Sequence, residues 1–175
     1  MRRKLILVSV LIALSTSCSK ESSPTNVAGA SSSPSVSQTR NSVDVVKVST
    51  TTTEIKRNQT ADALLQLVIQ KGYHVNANPP TFPYLKATEV EFPQTPGISI
   101  SFIVYPDPLT KKFEFAEKPL AVYEGTTTIK VKLKADKSAQ PGTQNLSGKL
   151  RVQACDEQVC YAPGTLDVSL PLDIK

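Results

Sequence analysis

Between Val43 and Lys175 apolar side chains recur at every second position, in one short segment after another, and a period of two leaves little but β-structure open to such a chain. Ile129, Val131, Leu133 and Ala135 alternate with Lys130, Lys132 and Lys134, and Leu166, Val168, Leu170, Leu172 and Ile174 repeat the pattern, as do Leu150, Val152 and Ala154. Ile98, Ile100, Phe102 and Val104 alternate with Ser99, Ser101, Ile103 and Tyr105, which assigns the first four to a buried face. Pro106, Pro119, Gly125, Pro141-Gly142 and Pro163-Gly164 punctuate the segments. One window fits two periods. Ala61, Leu64, Leu65 and Val68 suit a helix, while Ala63, Leu65, Leu67 and Ile69 suit a strand; Gly72 followed by the β-formers Tyr73 and Val75 favours the strand. The expectation is an all-β sandwich over residues 43–175, long enough to bury a core without a disulfide staple.

The first 17 residues have the layout of an export signal: Arg2, Arg3 and Lys4, an apolar run from Leu5 to Leu14, then Ser15, Thr16 and Ser17 ahead of Cys18. A run of that length falls short of the ~20 residues a bilayer span requires. The segment resembles a bacterial lipoprotein signal, in which Cys18 becomes the lipidated first residue of the mature chain. From Ser19 to Ser42 there are nine Ser, two Pro and only Val27, Ala28, Ala30 and Val36 as apolar side chains. Such a stretch buries no core. As a flexible coil it reaches on the order of 25–30 Å, so residues 18–42 are expected to tether the domain to a membrane surface by a lipid alone, on the periplasmic side of a bacterial envelope.

Charge narrows the function. The chain carries 20 Lys+Arg against 15 Asp+Glu, and without Arg2, Arg3 and Lys4 the balance is 17 minus 15, or +2. That is too weak and too dispersed for a nucleic-acid binder. His74 is the only histidine, which argues against a Ser-His-Asp hydrolase or a multi-histidine metal centre. No cofactor is expected.

Setting Cys18 aside, two cysteines remain, in the run Gln153-Ala154-Cys155-Asp156-Glu157-Gln158-Val159-Cys160-Tyr161-Ala162-Pro163. Two strands with a tight connection would bring them together. A disulfide over so short a loop constrains the unfolded chain by only ~2 kcal/mol. Strand parity places Cys155 with Lys149, Arg151 and Gln153, toward solvent, where disulfides are reactive. A structural hairpin disulfide is the alternative. Zinc would need two further thiolate or imidazole ligands and has only His74 to draw on.

Gly72-Tyr73-His74-Val75-Asn76-Ala77-Asn78-Pro79-Pro80, Tyr105-Pro106, Tyr123-Glu124-Gly125 and the paired-cysteine run together resemble the N-terminal periplasmic domain family of the thiol:disulfide interchange protein DsbD. The resemblance covers about Val43 to Lys175. It implies an immunoglobulin-like antiparallel sandwich that exchanges electrons with thioredoxin-like proteins, supplied through a membrane-embedded conduit, and that serves periplasmic disulfide proteins and cytochrome c maturation factors. Carried over, the redox pair is Cys155 and Cys160. Tyr73, His74, Asn76 and Tyr161 line the site, and a loop over residues 113–117 caps it, with Phe113 and Phe115 as shields. His74 and Asn76 stand where the better-known members carry tyrosines. In those members the domain is fused to the conduit; here a separate conduit is expected.

Two functions follow. One is a thiol:disulfide oxidoreductase relay, with Cys160 as the attacking sulfur because Asp156 and Glu157 adjoin Cys155. The other is a non-catalytic immunoglobulin-like binding lipoprotein with a structural disulfide.

Overall fold

The computed structural model describes residues 41–175. After a single 3-10 turn at Ser42–Val45 the chain forms twelve strands: β1 (Val46–Thr50), β2 (Thr53–Ile55), β3 (Thr60–Ile69), β4 (His74–Asn76), β5 (Glu89–Glu91), β6 (Ile98–Val104), β7 (Leu109–Lys111), β8 (Leu120–Tyr123), β9 (Thr126–Ala135), β10 (Gly142–Val152), β11 (Ala154–Cys155) and β12 (Gly164–Ile174). They make three four-stranded sheets, in the orders β1-β3-β9-β6, β2-β12-β10-β5 and β11-β4-β8-β7. Every pairing is antiparallel except β2 with β12. The expected all-β, immunoglobulin-like sandwich is the fold observed. Among the described residues no helix is long and apolar enough to cross a membrane.

The two longer sheets share one core. Ala63, Leu65, Leu67 and Ile69 of β3 and Ile129, Val131, Leu133 and Ala135 of β9 meet Leu146, Leu150 and Val152 of β10 and Val168, Leu170, Leu172 and Ile174 of β12. The window from Ala61 to Ile69 is therefore a strand. Its helical face would have left Leu64 and Val68 inside, and both are exposed. Between β8 and β9 the chain turns at Gly125, whose φ of +62° is a left-handed conformation that side chains with a Cβ adopt rarely.

Strand β6 departs from the expected alternation. Ile100 pairs with Leu133 and Phe102 with the next residue of β9, Lys132, so Ser101 is an extra residue in a β-bulge. A bulge reverses which face later side chains occupy. Phe102 and Val104 consequently point to solvent, 52% and 46% exposed, and the ammonium of Lys132 lies 5.5 Å from the Phe102 ring centroid.

The short third sheet closes one end of the body. Val75, Ala77, Tyr123 and Ala154 join the main core, while Leu85, Phe113, Leu120 and Val122 form a second cluster against which Phe82, Ala116 and Cys160 pack.

Candidate functional site at the paired cysteines

Strand β10 ends at Val152, and Gln153 marks the break. Its Oε1 accepts from Asn76 Nδ2 at 3.0 Å and from the Lys86 N–H at 2.8 Å, and its Nε2 donates to the Tyr161 carbonyl at 3.2 Å. Held there, the chain leaves one sheet and enters another: Ala154 and Cys155 pair with Val75 and His74 of β4. The expected strand parity does not survive this transfer. Cys155 is completely buried rather than turned toward solvent beside Arg151.

Cys155 and Cys160 are joined by a disulfide across five positions, and Cys160 is half-buried. The loop between them is also closed by other means. Tyr161 N–H donates to the Ala154 carbonyl at 2.8 Å and Asp156 N–H to the Val159 carbonyl at 3.0 Å. Asp156 Oδ1 accepts from the N–H groups of Gln158 and Val159 at 2.8 and 2.9 Å, and the Tyr161 hydroxyl donates to Oδ2. The Tyr161 hydrogen bond, with help from the two loop amides, holds the Asp156 carboxyl below its ordinary range. Glu157 pairs with Lys111 at 2.9 Å. Both carboxylates beside Cys155 are thus compensated, and the asymmetry between the two sulfurs lies in access more than in local charge.

The sequence-derived lining residues gather around this pair, each in its own way. His74, on β4, is 2% exposed. Its Nε2 is 3.0 Å from Glu124 Oε2 and 2.6 Å from Lys111 Nζ, so it donates to the carboxylate when protonated and accepts from the ammonium when bare. Its Nδ1 is buried without a hydrogen-bond partner. Phe113 is buried edge-on against the His74 ring, centroids 5.1 Å apart, and Phe115 packs on Phe113 at 5.3 Å. The turn that carries both rings is gathered by Lys112, which donates to the carbonyls of Ala116 and Glu117. Tyr73 sits 6.1 Å from the Tyr161 ring. Asn76 is fully buried and structural in its contacts, reaching Gln153 and the Lys86 carbonyl. Cys18 and the expected signal and tether up to residue 40 lie outside the described residues.

Beside Cys160 a hollow of about 250 Å³ opens between Tyr84, Leu85, Phe115, Leu120, Gln158 and Val159. Tyr84, Val159 and Phe115 are 72%, 50% and 41% exposed, an unusual outlay of large apolar side chains around one sulfur. A larger hollow, about 520 Å³, lies by Phe92, Gly148 and Asp167 and contains neither cysteine. Among the described residues no cluster of His, Cys, Asp and Glu could hold a metal ion. Sequence reasoning missed Gln153, Lys111, Glu124, Tyr84 and Val159 as site residues. Gln153, Glu124 and Val159 stand inside the quoted runs without any feature that singles them out, and Lys111 and Tyr84 lie outside those runs.

A family model described as "Thiol:disulfide interchange protein DsbD, N-terminal" matches residues 42–171. The N-terminal periplasmic domain of ScsB from Proteus mirabilis is similar in fold, with a TM-score of 0.52 and 24% identity over 74% of this chain and 47% of that one. The chain therefore spans about half the length of that structure. AggA, the major subunit of aggregative adherence fimbriae type I from Escherichia coli, aligns at 10% identity over 74% of this chain and 94% of that one, with a TM-score of only 0.34. No curated protein matches the chain.

Proposed function

The chain belongs to the N-terminal domain family of the thiol:disulfide interchange protein DsbD, and on that premise we propose that Cys155 and Cys160 are a redox pair relaying electrons between thioredoxin-like proteins and disulfide-bonded proteins of the envelope, cytochrome c maturation factors among them. One observation carries the reading: a disulfide with one sulfur fully buried and the other at the edge of an exposed apolar hollow. A partner thiolate reaches only Cys160. It forms a mixed disulfide there and Cys155 leaves; in the opposite direction the Cys160 thiolate attacks a target disulfide and Cys155 resolves it.

The loop's own hydrogen bonds support this over a structural staple. With Ala154, Asp156 and Tyr161 already fixing the loop, the bridge has little shape left to impose, and its loop-entropy contribution is only ~2 kcal/mol. Residues 1–17 as a lipoprotein signal, Cys18 as the lipidated residue and 18–40 as a tether complete the proposal, the tether ending two residues before the expected 42 because Asn41 caps the 3-10 turn and Ser42 is buried in the domain: a periplasmic domain held by a lipid and served by a separate membrane conduit.

The test is trapping. Cys155→Ser, incubated with an oxidised thioredoxin-like protein, should accumulate a mixed disulfide through Cys160 on non-reducing electrophoresis, and Cys160→Ser should trap far less. Absence of trapping by both variants, with loss of most of the stability in melting curves, would establish the staple and the binding-module function instead.

A further inference from the structure

Directly across the β4–β11 ladder from Cys155 stands His74. In an antiparallel pair, opposite residues project to one face of the sheet with Cβ atoms about 4.5–5.5 Å apart, so the imidazole and the Cys155 side chain leave the ladder side by side on one face. Both are buried. The Nε2 side of the ring is occupied by Glu124 and Lys111, but Nδ1 is buried and unpaired. Asn76 Oδ1 and Arg151 Nε are also buried and unpaired; such an atom asks for an explanation, a redox role among them, and of the three only the imidazole nitrogen can carry a proton to or from a sulfur.

The reduced state does so. When a partner thiolate attacks Cys160 Sγ, the partner–Cys160 bond forms, the Cys155–Cys160 bond breaks, and the electron pair stays on Cys155 Sγ. That thiolate is created away from water, where the charged form is strongly disfavoured. Of the buried polar side chains Ser42, His74, Asn76 and Thr88, only His74 carries a ring nitrogen that can act as both proton donor and proton acceptor.

We propose that His74 is the acid–base partner of Cys155. From the imidazolium, whose Nε2–H donates to Glu124, Nδ1–H gives its proton to the Cys155 thiolate as the bridge opens and leaves a neutral ring protonated at Nε2; bare Nδ1 takes the proton back when Cys155 attacks a mixed disulfide at Cys160. The exchange balances: the partner's dithiol loses two electrons and two protons in becoming a disulfide, one proton equivalent reaches Cys155 by way of His74, and Cys160, leaving at the hollow, takes the other from solvent. The proposal rests on the relay reading of the pair. Every neighbouring element contributes to the proton's environment: Glu124 beyond β8 favours the imidazolium, Lys111 on β7 opposes it with its charge shared by Glu157 of the cysteine loop, Asp156 is engaged by Tyr161, and the uncharged Phe113 ring stands nearly perpendicular to the imidazole.

The test needs no biological partner. The full chain carrying Cys18→Ser, so that only the pair reacts, is reduced and mixed with the aromatic disulfide dithiobis(nitrobenzoate). Cys160 takes up one nitrothiobenzoate, and attack by Cys155 releases it, read by absorbance. His74→Phe should slow that release at neutral pH at least ~10-fold, within the usual range for losing an acid–base group, and leave uptake at Cys160 nearly unchanged. Glu124→Gln should move the pH midpoint of release downward and Lys111→Met upward. Unchanged release in His74→Phe across about pH 5–9, the range in which a histidine titrates, would overturn the proposal, as would no release from the His74 protein. If His74→Phe does not fold, the two opposite shifts decide alone, because Glu124 and Lys111 are partly exposed; no shift in either overturns the proposal. Failure of the relay reading is a separate result, the wild-type pair declining to exchange with a thioredoxin-like protein while releasing nitrothiobenzoate normally.

Discussion

The Ala154 N–H donates to the Ser42 hydroxyl oxygen at 2.9 Å, 112 residues apart in the chain. Ser42 in turn donates to the Ala162 carbonyl at 2.5 Å and is completely buried. The residue that closes the expected tether thus clasps both ends of the cysteine run. Gly164 lies under the same clasp: a Cβ there would come within 2.6 Å of Val43 Cγ1 and 2.7 Å of Asn41 Oδ1. Deleting residues 19–40 should leave the melting midpoint nearly unchanged, whereas Ser42→Ala should cost about 1–3 kcal/mol by stranding the buried Ala154 N–H. Thermal unfolding of the two variants checks both halves.

The apolar rim should govern encounter and not stability. Phe115→Ser and Val159→Ser replace side chains 41% and 50% exposed, so each should change folding stability by less than about 0.5–1 kcal/mol. Mixed-disulfide formation between their Cys155→Ser forms and a thioredoxin-like protein should be slowed about 10-fold, equivalent to ~1.4 kcal/mol of lost apolar contact. Quenched time courses measure this. Equal rates would mean that partners do not use the hollow.

Asp156 links the loop to pH. Its folded carboxyl is held below the ordinary value, chiefly by the Tyr161 hydroxyl and then by the loop amides. A depressed carboxyl stabilises the fold above its unfolded value and ceases to do so as pH falls through the folded one. Because the group is largely solvated the effect is small. Asp156→Asn should be less stable than the natural chain by under about 1 kcal/mol at neutral pH, and the difference should close as the pH is lowered beneath about 4. Melting curves over that range give the sign directly; a gap that widens toward acid would contradict it.

The bulge at Ser101 makes two apolar residues of similar sequence context behave oppositely. Leu133→Ala removes a fully buried side chain and should cost about 2–5 kcal/mol. Phe102→Ser, on the solvent face beside Lys132, should change stability by no more than about 0.5 kcal/mol. Denaturant titration of both variants distinguishes the observed register from an unbroken alternation, in which Phe102 would be core.

Read alone, the sequence marked β3, β6, β9, the end of β10 and β12 as strands and gave the buried faces of β3, β9 and β12, because alternation along one strand is a local property and a sandwich must cover one face of each sheet. Through the family resemblance it also pointed to the two cysteines that the fold joins in a disulfide. What it could not encode locally is where pairing departs from regularity. Ser101 becomes a bulge only against β9, and Cys155 is buried only because Gln153, fastened to Asn76 and Lys86, passes the chain from one sheet to another. The surroundings of the sulfurs were decided in the same way. His74, Lys111, Glu124 and Glu157 are scattered over more than eighty positions with no spacing to join them, and Tyr84, Phe115 and Val159 come from three separate loops. Long-range strand register alone brings them to one end of the body, since contact there depends on which strands hydrogen-bond and not on distance along the chain.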